Sequence, residues 1–255
     1  MNCGTLCRKL NEKLDRDAYA DVDASANGRQ IGPEKQEIEQ VAFAVDAAVT
    51  TLEEAAARNA DLLVTHHGIS WGGIERVTGR QYERISTAIT NDLGLYTAHL
   101  PLDGHQELGN AAGVADLLEL ESRSPFGAHG GQFIGQQGTI SNGTSLDALR
   151  ETLEEELATG GQDVQVLDFG PNEISDVAIV TGSGVDWLDE AIENGADVLV
   201  TGEGKQHAYH EAKESEINVV LAGHYATETF GVRSLQSLVE EWGLETTYID
   251  HPTGI

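Results

Sequence analysis

Three observations predict an α/β fold with two related lobes: short buried β-runs alternate with helical stretches, one segment recurs without gaps later in the chain, and each copy ends in the same histidine-to-carboxylate spacing. The expected architecture is two pseudo-symmetric α/β lobes with mainly parallel sheets, a metal cleft between them and a small central α+β insertion. The expected boundaries are residues 1–125 for the first lobe, 126–170 for the insertion and 171–255 for the second lobe, closing onto the first.

Leu6, Leu10 and Leu14 are spaced by four and make one apolar stripe on a short opening helix. Residues 20–33 are polar and glycine-punctuated, a loop in which Asn27-Gly28 favours a turn. Val41 to Val45 reads as a buried strand, Leu52 to Asn59 as an alanine-rich helix and Asp61 to Thr65 as a second strand. A helix at Tyr82–Asp92, a strand at Gly94–Ala98 and a helix at Asn110–Leu120 come next, an order that favours parallel pairing. In the glycine-rich stretch from Phe126 to Phe169 we expect strands at 135–141 and 164–167 and a helix at 145–157.

The repeat aligns Leu52–Gly68 on Leu188–Gly204, and upstream Val41–Ala44 on Val177–Val180. Downstream, the segment Ala98–Asp103 meets Gly223–Glu228, so both copies deliver H-x-x-x-carboxylate: His99 with Asp103 and His224 with Glu228. Ligands of such sheets gather at strand carboxyl ends, where His66 and His67 also fall. An imidazole and carboxylate set without thiolate suits zinc, manganese, iron or cobalt. It holds more donors than one ion needs, so two divalent ions per chain are expected, with a carboxylate bridging them. Thr181-Gly182-Ser183-Gly184 is a weak candidate for an anion-binding turn. Lys205 and His207, in the stretch of the second copy that matches the histidine pair, are candidates for holding an anionic substrate or assisting proton transfer. His105, His129, His210 and His251 have no comparable spacing and receive no role.

Composition limits the partners. With 15 Lys+Arg against 43 Asp+Glu the formal charge is −28, a field that repels nucleic-acid backbones and anionic lipid. No nucleic-acid or membrane partner is expected. There is no run of about 18 apolar residues and no apolar stretch of signal-peptide type at the start. Two cysteines, Cys3 and Cys7, are too few for a disulfide framework, so a reducing, cytoplasmic setting is expected. Carboxylates spread along the whole chain are the pattern of a salt-adapted protein.

With these residues in view, the chain resembles the NIF-three-like dinuclear-metal proteins, the GTP cyclohydrolase I type 2 homologues. ADLLVTHHG is similar to that family's first metal motif, AHLPLD to its second, TGEGKQH to its T-G-D-x-K-x-H segment and AGHYATE to its C-terminal metal motif. The resemblance implies the short form, with His66, His67, Asp103, His224 and Glu228 as metal ligands, Glu228 bridging, and His99 beside them or on the substrate. It also implies a homo-hexameric ring and a small-molecule substrate such as GTP, opened at C8 with loss of formate. Ile69 stands where the family usually has proline, and Glu203 where it has aspartate. DASANGRQIG is only loosely similar to a family segment, and Asn27 and Gln30 are given no role. The leading expectation is a metal-dependent hydrolase; a non-catalytic metal-holding scaffold, chaperone or regulator, and a phosphoesterase, are the alternatives.

Self-repulsion of so many carboxylates is relieved by screening. The thermal unfolding midpoint is therefore expected to rise as potassium chloride is increased from about 0.1 M to 2 M, which a calorimetric salt series checks.

Overall fold

A computed structural model of the chain describes residues 1–255. In chain order the elements are α1 (Cys3–Lys13), β1 (Gly28–Ile31), β2 (Gln40–Asp46), α2 (Val49–Ala57), β3 (Leu62–His67), α3 (Arg80–Thr90), β4 (Gly94–Thr97) and α4 (Leu100–Asp103). The chain continues with α5 (Asn110–Leu117), β5 (Leu120–His129), β6 (Gln132–Ser145), α6 (Leu146–Glu156), β7 (Gln165–Leu167), β8 (Glu173–Ile179), α7 (Leu188–Glu193) and β9 (Val198–Thr201). It ends with α8 (Gln206–Glu214), β10 (Asn218–Leu221), α9 (His224–Thr227), α10 (Thr229–Glu241) and β11 (Glu245–Tyr248). None of these helices is long and apolar enough to cross a membrane.

Two compact units result, one of residues 1–102 with 231–251, the other of 103–230 with 252–255. The first holds a five-stranded sheet in the order β1-β4-β3-β2-β11, parallel except for edge strand β1. β2, β3 and β4 are apolar on both faces, as parallel strands covered on two sides require. Ala42, Ala44, Leu63 and Leu95 pack with Leu52 and Ala55 of α2 in its core. The second unit holds a six-stranded sheet, β5-β6-β8-β9-β10-β7, in which β8, β9 and β10 are parallel and the remaining pairings antiparallel. Leu149 and Leu153 of α6 and Val114 of α5 cover Ile174, Val177, Ile179, Val198 and Val200 there. Each fully buried side chain of this kind contributes about 1.5–3 kcal/mol.

The repeat holds to the level of register. Val41 pairs with Leu62 and Val64 with Phe43 in the first sheet; Val177 pairs with Val198 and Ile179 with Val200 in the second. The turn before the middle strand is also duplicated. Asn59 and Gly195 occupy equivalent positions at φ 59 and φ 75. The next acidic residue clamps the neighbouring strand in both copies: Asp61 Oδ2 accepts from the backbone N–H of Glu39 and Gln40 at 2.8 and 2.9 Å, and Asp197 Oδ2 from Ser175 and Asp176 at 2.8 and 2.9 Å.

The expected boundaries require correction. The first unit ends at Leu102, not near residue 125, and α10 from Gly231 onward together with β11 returns to it, with β11 lying beside β2. Residues 126–170 are not a separate insertion, because β5 and β6 extend the sheet of the second repeat through β8. The loop expected over 20–33 contains β1, a four-residue edge strand, Gly-Arg-Gln-Ile, too short to show an alternating pattern and paired only with β4.

The duplicated clamps give a direct test. Asp61→Ala and Asp197→Ala each leave two backbone N–H groups without their acceptor and are expected to cost about 1–2 kcal/mol in denaturant melts, with the Asn variants losing less.

Candidate metal centre

In the first unit β3 runs through His67, so both histidines are the last two residues of the strand and do not lie just past it, where the sequence reading puts them. The parallel register sets Asp46 of β2 directly beside His67, and His67 Nδ1 is 2.9 Å from Asp46 Oδ1. Asp46 is held from behind by Thr51, whose hydroxyl donates to its carbonyl at 2.6 Å. His66 turns to the other neighbour and places Nδ1 3.0 Å from the carbonyl oxygen of Ala98, at the end of β4. The two rings still approach to 4.6 Å between centroids.

His99 completes this group, its ring 5.1 Å from His66 and 5.7 Å from His67. Its Nδ1 lies 2.9 Å from Asp23 Oδ1. Asp23, whose side chain is only 2% exposed, also accepts from the backbone N–H of Ser25 and Leu100 and from the Asn27 amide, at 2.8, 2.9 and 2.7 Å. Burial works to raise the Asp23 pKa, but the bond and charge of His99 and the other donors outweigh it and hold the carboxyl below its ordinary value. Asn27 in turn accepts from the His99 N–H at 2.7 Å.

All three histidines thus face an acceptor with Nδ1. A carbonyl or carboxylate oxygen can only accept, so Nδ1 carries the proton and Nε2 is the basic atom in each neutral ring. One ligand atom from each of the three lies within 4.8 Å of the others, a group able to hold a metal ion. Acceptors behind Nδ1 are the arrangement that orients metal-binding imidazoles and raises their basicity. Trp71 borders the group, edge-on to His99 at 4.9 Å between centroids.

The second unit carries Asp103, His224 and Glu228. Asp103 is buried, and its Oδ1 accepts from Asn110 at 2.8 Å and Thr181 at 3.3 Å. His224 sits between two carboxylates, with Nδ1 3.2 Å from Glu203 and Nε2 3.2 Å from Glu228, itself 3% exposed. Burial lowers the His224 pKa, but Glu228 and Glu203 more than reverse this and raise it to about 9. Glu203 is held below the ordinary carboxylate value, chiefly by the Ser183 hydroxyl, against the effect of burial and with further help from His224.

The copies diverge at their strand ends for a steric reason. Gly202 stands where the first copy has His66; a Cβ there would lie 2.6 Å from His224 Cα and 2.7 Å from the Gly182 carbonyl oxygen, both backbone atoms that cannot yield. Gly182, equivalent to Asp46, leaves room for the Glu228 carboxylate and His224 Nε2. This overturns the anion-turn reading of residues 181–184: the Gly182 N–H donates to Thr227 Oγ1 at 3.1 Å and the Gly184 N–H to Thr201 Oγ1 at 2.9 Å, so neither is offered to a ligand.

Lys205 and His207 both turn to Asp186. Lys205 pairs with Asp186, and His207 Nε2 lies 3.9 Å from the same carboxylate and 3.7 Å from Glu211, on an exposed surface. Sequence reasoning missed Asp23, Asp46 and Glu203 as partners of the histidines. It also left Gln30 without a role, although its Oε1 accepts from the Ile69 N–H at 2.8 Å just past the histidine pair. A carboxylate four residues before Asn27-Gly28 is the one local signal that could have drawn attention to Asp23.

Comparison with known proteins identifies the family. The family model Duf34/NIF3 (NGG1p interacting factor 3) matches residues 1–253. The chain is 55% identical over 255 residues to the GTP cyclohydrolase 1 type 2 homolog of Halobacterium salinarum, covering 100% of both chains. It is 42% identical over 247 residues to the homolog of Pyrococcus abyssi, covering 96% of each. Among solved structures, the protein ybgI, described as of unknown function, is similar with a TM-score of 0.91 at 31% identity, covering 100% of both chains. With the family matched over almost every residue and the three histidines gathered at the strand ends, the chain belongs to the Duf34/NIF3 family.

Proposed function

We propose that the protein is a metal-dependent hydrolase whose two divalent ions are held by His66, His67, Asp103, His224 and Glu228, with His99 beside them to position substrate and move a proton. The observation that carries this reading is the gathering of His66, His67 and His99, with Nδ1 of each engaged by an acceptor so that Nε2 is left for a ligand. The donor chemistry fits: imidazoles and buried carboxylates match zinc, manganese, iron or cobalt. The ions supply Lewis acidity and stabilise negative charge developing on the substrate.

The chain's own residues do the rest. Asp46, Asp23 and the Ala98 carbonyl keep the protons on Nδ1, so that none of the three rings needs to reorganise before binding. His99, backed by buried Asp23, is the group suited to accept a proton at Nε2, because the carboxylate stabilises the imidazolium that forms. Asn110 and Thr181 fix the orientation of Asp103. Lys205 and His207 are left out of this mechanism, since both face Asp186 on an exposed surface and Lys205 is paired with it. GTP as substrate is supported by the name of the relatives alone and is put forward on that basis.

Metal analysis of protein purified without an affinity tag is expected to give about two divalent ions per chain, falling in Asp103→Ala. Formate release from GTP by the loaded protein is expected to exceed that of His66→Ala/Asp103→Ala by at least about a hundredfold; equal rates would discard GTP while leaving the metal question to the stoichiometry.

His224 gives a pH signature. Its pKa in the folded metal-free protein, about 9, is above the ordinary 6.5, so its stabilising contribution is complete below about pH 6.5 and lost as pH rises through about 9. Thermal melts of metal-stripped protein are expected to show this decline, and His224→Gln to flatten it. Metal uptake below pH 9 is expected to release the His224 proton.

A further inference from the structure

The connection from β3 to α3 is far longer than its repeat requires. In the second copy residues 202–205 suffice to join β9 to α8, whereas the first copy uses 68–79. The added residues are not needed to build the fold, and long connections of this kind tend to be functional. Every residue from Trp71 to Arg80 is exposed. Three of them are large and apolar, Trp71 at 46%, Ile74 at 43% and Val77 at 48%.

The base of the segment is nonetheless fixed. Trp71 bridges to Ser25, the Gly72 N–H donates to the Ala24 carbonyl at 2.7 Å, and the Gln81 amide donates to the Ile69 carbonyl at 2.9 Å. Trp71 is thereby held against the histidine group, 4.9 Å from His99 and 6.0 Å from His67 between ring centroids. The remainder stands free, and side chains added at Gly72, Gly73 or Gly79 would meet nothing within 4 Å.

Charge supplies the second observation. In a chain of formal charge −28, Arg8, Arg16, Arg58, Arg123 and Arg150 each pair with a carboxylate. The side chains of Arg76 and Arg80, on the segment beyond Trp71, and of Arg84 one turn further along α3, form neither an ion pair nor a hydrogen bond. An indole held next to the histidines, with the uncommitted Arg76 and Arg80 further along the same exposed segment, matches a ligand with a flat heterocycle at one end and phosphates at the other.

We propose that residues 71–80 are a nucleotide-recognition strap in which Trp71 stacks on the base and Arg76 and Arg80 meet the phosphates, a proposal that rests on the nucleotide reading above. The stack places the heterocycle beside His99, and the arginines supply an anion site on a strongly acidic chain.

The test is calorimetric titration of manganese-loaded full-length protein, at one fixed salt concentration, with a non-hydrolysable GTP analogue, with guanosine and with inorganic triphosphate. Trp71→Ala is expected to weaken the analogue and guanosine about tenfold, in keeping with base–aromatic stacking, and to leave triphosphate unchanged. Trp71→Phe is expected to keep most of the affinity. Arg76→Ala/Arg80→Ala is expected to weaken the analogue and triphosphate severalfold and spare guanosine. Unchanged affinity for the analogue in Trp71→Ala would overturn the strap and leave nucleotide binding standing. No binding of the analogue by the unmutated protein would remove both. A changed sedimentation coefficient in Trp71→Ala, with all three ligands affected alike, would overturn the strap by identifying the segment as a contact between copies of the chain.

Discussion

An imidazole offers a metal or a proton only one nitrogen when the other is engaged, and the first unit is organised around engaging Nδ1. Each of the three acceptors behind His66, His67 and His99 comes from a different source. Strand register delivers Asp46, the end of β4 delivers the Ala98 carbonyl, and the segment before β1 delivers Asp23. The last is the most demanding, since a nearly buried carboxylate is tolerated only with several donors around it. Ser25, Asn27 and the Leu100 N–H satisfy that condition together with His99. The loop around Asn27 therefore exists as much for Asp23 as for the turn it makes.

The duplicated βαβ unit shows how one backbone carries two chemistries. Register, the left-handed turn residue and the aspartate clamp are common to both copies. The strand ends differ because the chain leaves the third parallel strand differently in each copy. In the second copy it has one more residue, Gly223, before its histidine, and the backbone at His224 then occupies space that a side chain at 202 would need. Histidine on the strand is replaced by histidine at the start of α9, and the residues just past the strand contribute Glu203 to orient it.

Much of this could be read from the sequence. The buried parallel strands were legible from unbroken apolar runs, and the repeat from ungapped matching across Leu52–Gly68. His66, His67 and His99 were legible because each sits where a parallel strand ends, the position at which such sheets assemble sites. What could not be read is pairing across distance. Asp23 meets His99 across 76 residues and Asp46 meets His67 across 21; neither has a local pattern, and the sequence contains many equally plausible acidic residues. The same blindness hid β1, a four-residue run without an apolar pattern that becomes a strand only through β4, and the return of α10 and β11 to the first unit.

That return has a consequence for synthesis. β11 occupies the outer edge of the first sheet, with Glu245 beside Gln40 and Tyr248 beside Phe43. While the ribosome is still adding the second unit, β2 is an open edge in an otherwise finished sheet, exposed to any extended segment that passes. The second unit has no such gap: its six strands lie within one continuous stretch and can close as soon as they emerge. The amino-terminal unit therefore has its full set of strands only once β11 has been made, although most of it is translated first.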